Sequence, residues 1–245
     1  MAARELARRV HGLALSVGCI QETAAICVPT IVDAALGRLT SHACDARLER
    51  WSRRVLERVD ATLQIEGVVP PSGPFVVMSN HSSFLDIPVV YRLFGGHLRM
   101  VAKKELFAVP VFGRAMLDAG FVRVDRSDRA AAVQSLELAR ALIAGGTSVW
   151  IAPEGTRSKS GALGPLKKGG FMLALQTGRP ILPITVRGTR DILPSGSFMP
   201  RPSHTVRVSV HAPIPTDTLP TNDAHVRASR DRLMREVQTV LESSL

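Results

Sequence analysis

The chain has 245 residues, 45% of them hydrophobic and only 4% aromatic, and a formal net charge of +10. That length buries one substantial core and fits one domain with an appendage, and the apolar content excludes a disordered chain. The charge points to anionic partners such as lipid headgroups, phosphorylated substrates or acidic carrier proteins. Nucleic acid is set aside, because the basic residues are scattered and no aromatic platform interleaves with them.

Arg4, Arg8 and Arg9 precede a short apolar run, 13–17, but no small-residue cleavage site follows, so a secretory signal is not expected. The stretch 12–32 comes nearest to a membrane span, yet Gln21 and Glu22 stand at its middle. One central carboxylate costs about 2.5–3.5 kcal/mol on insertion scales, so the expectation is a helix in or against the interface rather than across it. Residues 3 to about 62 read as two helices, with a break near Pro29 and a charged second helix over about 43–61. In that helix Arg47, Arg50, Arg53, Arg54 and Arg58 surround Leu48, Trp51, Val55 and Val59 at helical spacing. The pair is either a hairpin capping the core or a membrane-docking element with arginines at headgroup phosphates. The apolar first helix favours docking. Cys19, Cys27 and Cys44 all fall here, an odd number without metal-ligand spacing, and read as reduced cytosolic thiols filling apolar space.

From residue 63 short apolar runs alternate with amphipathic segments. Strands are expected at 63–68, 75–79, 98–102, 121–124, 148–152, 181–186 and 206–210. Helices are expected at 86–95, 107–118, 128–144, 167–177 and 222–243. Continuous apolar strands separated by helices imply an α/β fold: a central, largely parallel mixed sheet of about seven strands flanked by helices. Residues 1–62 then form an N-terminal docking element and 63–245 the α/β domain. The Pro- and Ser-rich stretch 194–203 reads as a surface loop.

Four segments carry chemistry. In the first, Asn80-His81-Ser82-Ser83-Phe84-Leu85-Asp86, His81 is the one histidine of seven with an aspartate five residues on. On a continuous helix the two side chains would point about 140° apart, whereas a strand–turn–helix junction lets them converge. An imidazole there can take a proton from an alcohol while the carboxylate fixes its tautomer. A plainer reading stands beside it: Asp86 as a helix N-cap before Ile87-Pro88, with Asn80 and His81 as turn residues.

In the second, the strand at 148–152 ends in Pro153-Glu154-Gly155-Thr156-Arg157-Ser158. Gly155 permits a tight turn and close ligand approach, Arg157 offers a planar fork for phosphate, and Thr156 and Ser158 add donors. A surface ion pair is the rival role for Arg157. Lys167-Lys168-Gly169-Gly170 is either a cationic approach to a helix start or a solvated charge run. In the third, Gly120 opens a strand ending in Asp125-Arg126, which brings a guanidinium to the strand ends, unless the two residues neutralise each other or begin the next helix. In the fourth, Pro183 within 181–184 suggests a sheet edge, a strand start or a bulge beside the site.

Together these segments resemble the glycerolipid acyltransferase family that includes the bacterial 1-acylglycerol-3-phosphate O-acyltransferases (PlsC-like). The family's Asn-His-x4-Asp is matched by Asn80, His81 and Asp86. Gly-x-x-Phe-Ile-x-Arg is matched at Gly120 and Arg126, with Arg123 and Val124 in place of Phe and Ile. Phe-Pro-Glu-Gly-Thr-Arg-Ser is matched at 153–158 with Ala152 for Phe, and the Val-Pro-Ile segment by Leu182-Pro183-Ile184. The likeness covers roughly 63–215, and the family's N-terminal two-helix membrane element is similar to what 3–62 suggest.

The resemblance implies transfer of a fatty acyl group from acyl-CoA or acyl-carrier protein to the free hydroxyl of a lysophospholipid, at the cytoplasmic face of the inner membrane and on an anionic membrane surface. His81 is then the general base and Asp86 its orienting carboxylate. Arg126 and Arg157 grip phosphate, and Glu154 orients Arg157 or an acceptor hydroxyl. Backbone N–H groups near Gly155 are candidate oxyanion donors, with no metal or organic cofactor required. The departures at Arg123 and Ala152 leave the acceptor open between 1-acylglycerol-3-phosphate and another lysolipid such as lyso-ornithine lipid. A metal-dependent hydrolase built on His81, Asp86 and Glu154 is a poor match, with one histidine only. A non-catalytic membrane-binding module leaves both motif segments unexplained.

Overall fold

The computed structural model of the protein describes residues 2–125, 128–216 and 222–245. Helices α1 (Ala2–Ala35) and α2 (Ser41–Arg58) come first, followed by β1 (Ala61–Glu66), β2 (Val76–Ser79), α3 (Asp86–Leu93) and β3 (Leu98–Lys103). Then come α4 (Lys104–Phe107), α5 (Phe112–Asp118), β4 (Val122–Val124), α6 (Arg129–Ala144) and β5 (Ser148–Ile151). The chain closes with α7 (Gly169–Thr177), β6 (Ile181–Arg187), α8 (Thr189–Ile192), β7 (His204–Val210) and α9 (Asp223–Glu242).

The seven strands form one sheet in the order β1-β7-β6-β2-β5-β3-β4, parallel except where β6 meets β7. This is the mixed, mostly parallel α/β sheet the sequence implies. Alternation along β2 explains its burial on both faces. Phe75 and Val77 join a core containing residues of α2 and α3, while Val76 and Met78 join a second with residues of α6, α7 and α9. Because β2 runs parallel to both β5 and β6, and β5 to β3, their C-terminal ends share one edge. That edge is where open α/β sheets bind ligands.

Several boundaries differ from the sequence reading. Helix α1 runs straight through Pro29, and the break falls after Ala35, where Gly37 adopts φ +65° and the Thr40 hydroxyl caps α2 by accepting Ala43 N–H at 3.2 Å. A proline inside a helix costs one backbone bond and about 3 kcal/mol, but tertiary packing routinely overrides such a preference. Here α1 is strapped to α2: Trp51 Nε1 donates to Thr23 Oγ1 at 3.0 Å, Arg47 pairs with Asp33, and Arg54 and Arg58 reach Glu22 at 3.2 and 2.6 Å. The Glu22 carboxylate therefore faces α2, and the Arg58 hydrogen bond holds it below the ordinary carboxylate range. By length and composition α1 from Leu6 to Ala35 is apolar enough to cross a membrane.

The expected helix over 107–118 is two, α4 and α5, separated at 108–111, and α8 was not legible in the sequence. Strand β6 is internal, so Pro183 marks neither an edge nor a strand start. It sits at a bulge: from Ile181↔Ile214 to Ile184↔Val210, three steps on β6 face four on the partner. The Pro183 carbonyl accepts His211 N–H at 3.1 Å, so its nitrogen faces the irregular side and the β2 ladder loses nothing.

Candidate active site

His81 and Asp86 meet at the junction of β2 and α3. His81 Nδ1 lies 2.8 Å from Asp86 Oδ2, with the Asp86 side chain fully buried and that of His81 15% exposed. Asp86 is not the N-cap of α3; Leu85 is. The carboxylate instead reaches back, and Oδ2 accepts N–H bonds from Ser82 at 2.7 Å and Ser83 at 2.9 Å. Its Oδ1 accepts the Thr189 hydroxyl of α8 at 2.5 Å. Held on three sides, Asp86 fixes the ring from Nδ1 and leaves Nε2 as the nitrogen able to exchange a proton with a ligand. Trp150 stands edge-on to the ring, centroids 5.9 Å apart, with its own Nε1 anchored on Ser79 Oγ at 3.0 Å.

The second motif segment is stitched to the first through backbone. Ser158 N–H donates to the His81 carbonyl at 2.7 Å, and His81 N–H donates to Glu154 Oε1 at 2.8 Å. The other oxygen of Glu154 accepts Gly164 N–H at 2.9 Å, so both are spent on main chain. Glu154 thus clamps the histidine loop to 155–164 instead of turning toward Arg157. Burial pushes its carboxyl up, against the pull of those two N–H groups. Gly155, at φ +76°, makes the tight turn, but its N–H is committed to the Ala152 carbonyl at 3.0 Å and is not an oxyanion donor in this arrangement. The Ser158 hydroxyl accepts from Gly161 N–H at 3.0 Å and donates to the Ala162 carbonyl at 2.7 Å, a loop-closing role.

Arg157 is not a surface ion pair. Its guanidinium carbon sits 3.7 Å from the Phe84 ring centroid, a cation–π stack. Burial lowers its pKa, while the Asp86 charge works the other way. His81, Thr156 and Arg157 line one small pocket of about 150 Å³, together with Trp150, Phe84 and Lys103. Phe84 also walls two larger apolar cavities of about 480 and 440 Å³, which run between α1, α2 and the α5 region. An imidazole, a guanidinium and two apolar cavities thereby meet at one side chain, Phe84.

The remaining expected residues lie elsewhere. Asn80 is buried and clamps β2 to β6, donating to the Val186 carbonyl and accepting Val186 N–H, both at 2.8 Å. Gly120, at φ +81°, turns the chain into β4. Arg126 lies outside the described residues. Asp125 pairs with Lys104 at 2.7 Å, and Asp128 is the residue that caps α6. Lys167 and Lys168 are exposed and outside the pocket, and Lys167 N–H is tied to the Pro153 carbonyl at 2.7 Å. Pro183 is buried in the sheet.

Two contributors were missed. Lys103 ends β3 at the ligand edge, and a cation closing a parallel strand was a usable signal. Thr189, 103 residues from Asp86, left none. Among the described residues no cluster of three or more His, Cys, Asp or Glu could hold a metal ion.

Comparison with known proteins bears on this geometry. Over 150 residues the chain is 43% identical to the chloroplastic 1-acyl-sn-glycerol-3-phosphate acyltransferase BAT2 of Brassica napus, covering 61% of this chain and 43% of that one. It is 35% identical over 178 residues to the alpha enzyme of the same name from Ovis aries, covering 69% of this chain and 61% of the relative. The chain therefore spans about half the length of these relatives. The crystal structure of the 1-acyl-sn-glycerophosphate acyltransferase PlsC from Thermotoga maritima superposes with a TM-score of 0.75 at 22% identity over 97% of both chains, a likeness of fold. The acyltransferase family model matches residues 61–187, more than half of the 245, and the chain belongs to that acyltransferase family.

Proposed function

We propose that the protein transfers a fatty acyl group from an acyl thioester to the free hydroxyl of 1-acylglycerol-3-phosphate, giving phosphatidic acid. The observation that carries this reading is the His81–Asp86 pair opening, beside Arg157, onto a polar pocket that shares Phe84 with two apolar cavities. His81 Nε2 removes the proton of the acceptor hydroxyl as its oxygen attacks the thioester carbonyl. The resulting imidazolium is stabilised by Asp86, and the thiol of the donor leaves with the proton returned from His81. No enzyme nucleophile is needed. Arg157, desolvated and stacked on Phe84, holds the acceptor phosphate, and Lys103 adds a second cation to the lining of the same pocket. The acyl chains occupy the apolar cavities.

Base catalysis of this kind typically supplies about 10²–10⁴-fold, so holding two lipid substrates together must contribute much of the remainder. Residues 1–62 serve as a docking unit that rests on the anionic cytoplasmic leaflet. The inward-facing Glu22 supports an interfacial position, since crossing the bilayer would require α1 to leave α2.

A second acceptor is favoured by one observation. Ala152 lines the polar pocket where the family motif has phenylalanine, which leaves room beside Arg157 for a headgroup bulkier than glycerol phosphate, such as that of lyso-ornithine lipid. The deciding experiment incubates purified protein with mixed lysolipids and each donor type, acyl-CoA and acyl-carrier protein, and profiles the products by mass spectrometry. Labelled phosphatidic acid is the expected product. Free fatty acid alone, or no product from any acceptor, would sink the assignment.

A further inference from the structure

Exposed apolar surface is unevenly distributed over this molecule. Among the described residues eighteen large hydrophobics are exposed: eight run from Leu6 to Leu36, three lie at Val109, Val111 and Leu117, and two are Phe198 and Met199. Thirteen of the eighteen thus sit on α1, on its end, or on two segments packed against it. The second of these segments is the loop between α8 and β7. Phe198 is 77% exposed at its tip, yet the loop is tied down on both flanks. Arg201 N–H donates to the Ile192 carbonyl at 2.7 Å, and the Ser203 hydroxyl donates to Asp60 Oδ2 at 2.6 Å. The Phe198 carbonyl accepts the Ser16 hydroxyl of α1, and a Cβ at Gly12 would come 3.2 Å from Met199 Cβ, so loop and helix abut.

A comparable presentation occurs at a second segment lining the same cavity. Val111 adopts φ 65° and ψ −57°, and Phe112 N–H closes onto the Pro110 carbonyl at 2.7 Å. That is a γ-turn of the rare, strained kind, centred on a β-branched residue that ordinarily avoids it, and it leaves Val111 half exposed. Two non-helical tips therefore hold apolar side chains in water beside one apolar cavity.

We propose that the 194–200 loop and the 109–111 turn insert into the lipid bilayer beside α1, giving the protein a three-point seat around the mouth of its apolar cavities. This rests on the membrane-docking reading above and deepens it, because α1 alone is not the contact. The occupant is a bilayer by continuity with the site: Phe198, Val109 and Val111 rim the cavity of about 480 Å³ that Phe84 joins to the polar pocket. Lipid chains can pass from a bilayer into that opening, whereas a second protein seated there would plug it. Exposed Arg201, two residues beyond Met199, adds a cation beside the apolar tip, the pairing that suits anionic headgroups.

The test is hydrogen–deuterium exchange on the full chain, with and without vesicles of phosphatidylcholine and phosphatidylglycerol. Amides in 194–200 and 109–112 should slow only when vesicles are present. Phe198→Ser with Met199→Ser should lower vesicle partitioning about tenfold, the loss of two large apolar side chains from a lipid contact. Protection confined to α1, or wild-type partitioning by the double variant, overturns the proposal. So does loop protection that grows with protein concentration in the absence of lipid, which would mean that a second copy covers the loop. The exchange experiment needs no substitution and stands even if the variant misfolds. Lipid-dependent loop protection in a protein without turnover would sink the enzymatic reading and leave this one intact.

Discussion

At the scale of single residues, the geometry ranks side chains by what they touch. If His81 is the proton acceptor proposed above, His81→Ala should lower kcat by about 10²–10⁴-fold or more while thermal unfolding barely moves, checked by steady-state assay and calorimetry. Thr189→Val deletes a hydroxyl bond to a buried carboxylate, a class of interaction worth about 1.5–3 kcal/mol. It should depress kcat with little change in acceptor KM, and Thr189→Ser, which keeps the hydroxyl, should restore the rate. Equal kcat in the Val and Ser variants would mean that Thr189 serves packing alone. Arg157→Lys keeps the charge but loses the planar fork and weakens the stack on Phe84, so acceptor KM should rise about tenfold, more than kcat falls. Glu154 belongs to a different class, because both its oxygens hold main chain. Its substitution by Gln should unfasten the 155–164 loop and cost stability as well as rate.

At the scale of elements, the junctions were harder to read than the strands. The central strands β2, β5 and β6 were visible as nearly unbroken apolar runs, because burial on both faces leaves them no polar alternation, whereas β1 and β7 alternate with exposed polar positions. The convergence of His81 and Asp86 was legible from five-residue spacing at a strand end, but Asp86 turning backward onto Ser82 and Ser83 was not. An Asp ahead of Ile-Pro looks like a forward cap until tertiary packing brings Thr189 to it. Pro29 misled for the same reason: the straps from α2 to Thr23, Glu22 and Asp33 act across 14 to 36 residues, beyond any local window.

The Glu22 strap carries a pH prediction. Its carboxyl titrates below the usual 4.5 in the folded chain, so it contributes stability above that value and loses it as pH falls through the lowered folded pKa. Protection of amides in the middle of α1, taken relative to the intrinsic exchange rate at each pH, should fall on acidification in the native chain and depend less on pH in Glu22→Gln.

At the scale of the whole molecule, the fold class and the ligand edge followed from alternating strands and helices, and the family resemblance followed from four short motifs in the right order. The apolar cavities did not. They are walled by Cys27, Trp51, Phe84, Met116 and Phe198, residues spread from one end of the chain to the other, and no periodicity announces a space that only packing creates. Cys27 and Cys44 fill buried space and Cys19 is half-buried, and burial pushes the Cys27 thiol up to about 11.

The phenylalanine under the guanidinium has one more outcome, in the order in which substrates arrive. Phe84 is at once the floor for Arg157 and part of the wall of both apolar cavities, so an acyl chain filling those cavities would immobilise the surface on which the cation rests. Whichever substrate comes first then spares the second part of its ordering cost, and the two should bind synergistically without any large movement. A non-hydrolysable thioether analogue of the donor should bind more tightly when glycerol 3-phosphate is present, and that gain should vanish in Phe84→Ala.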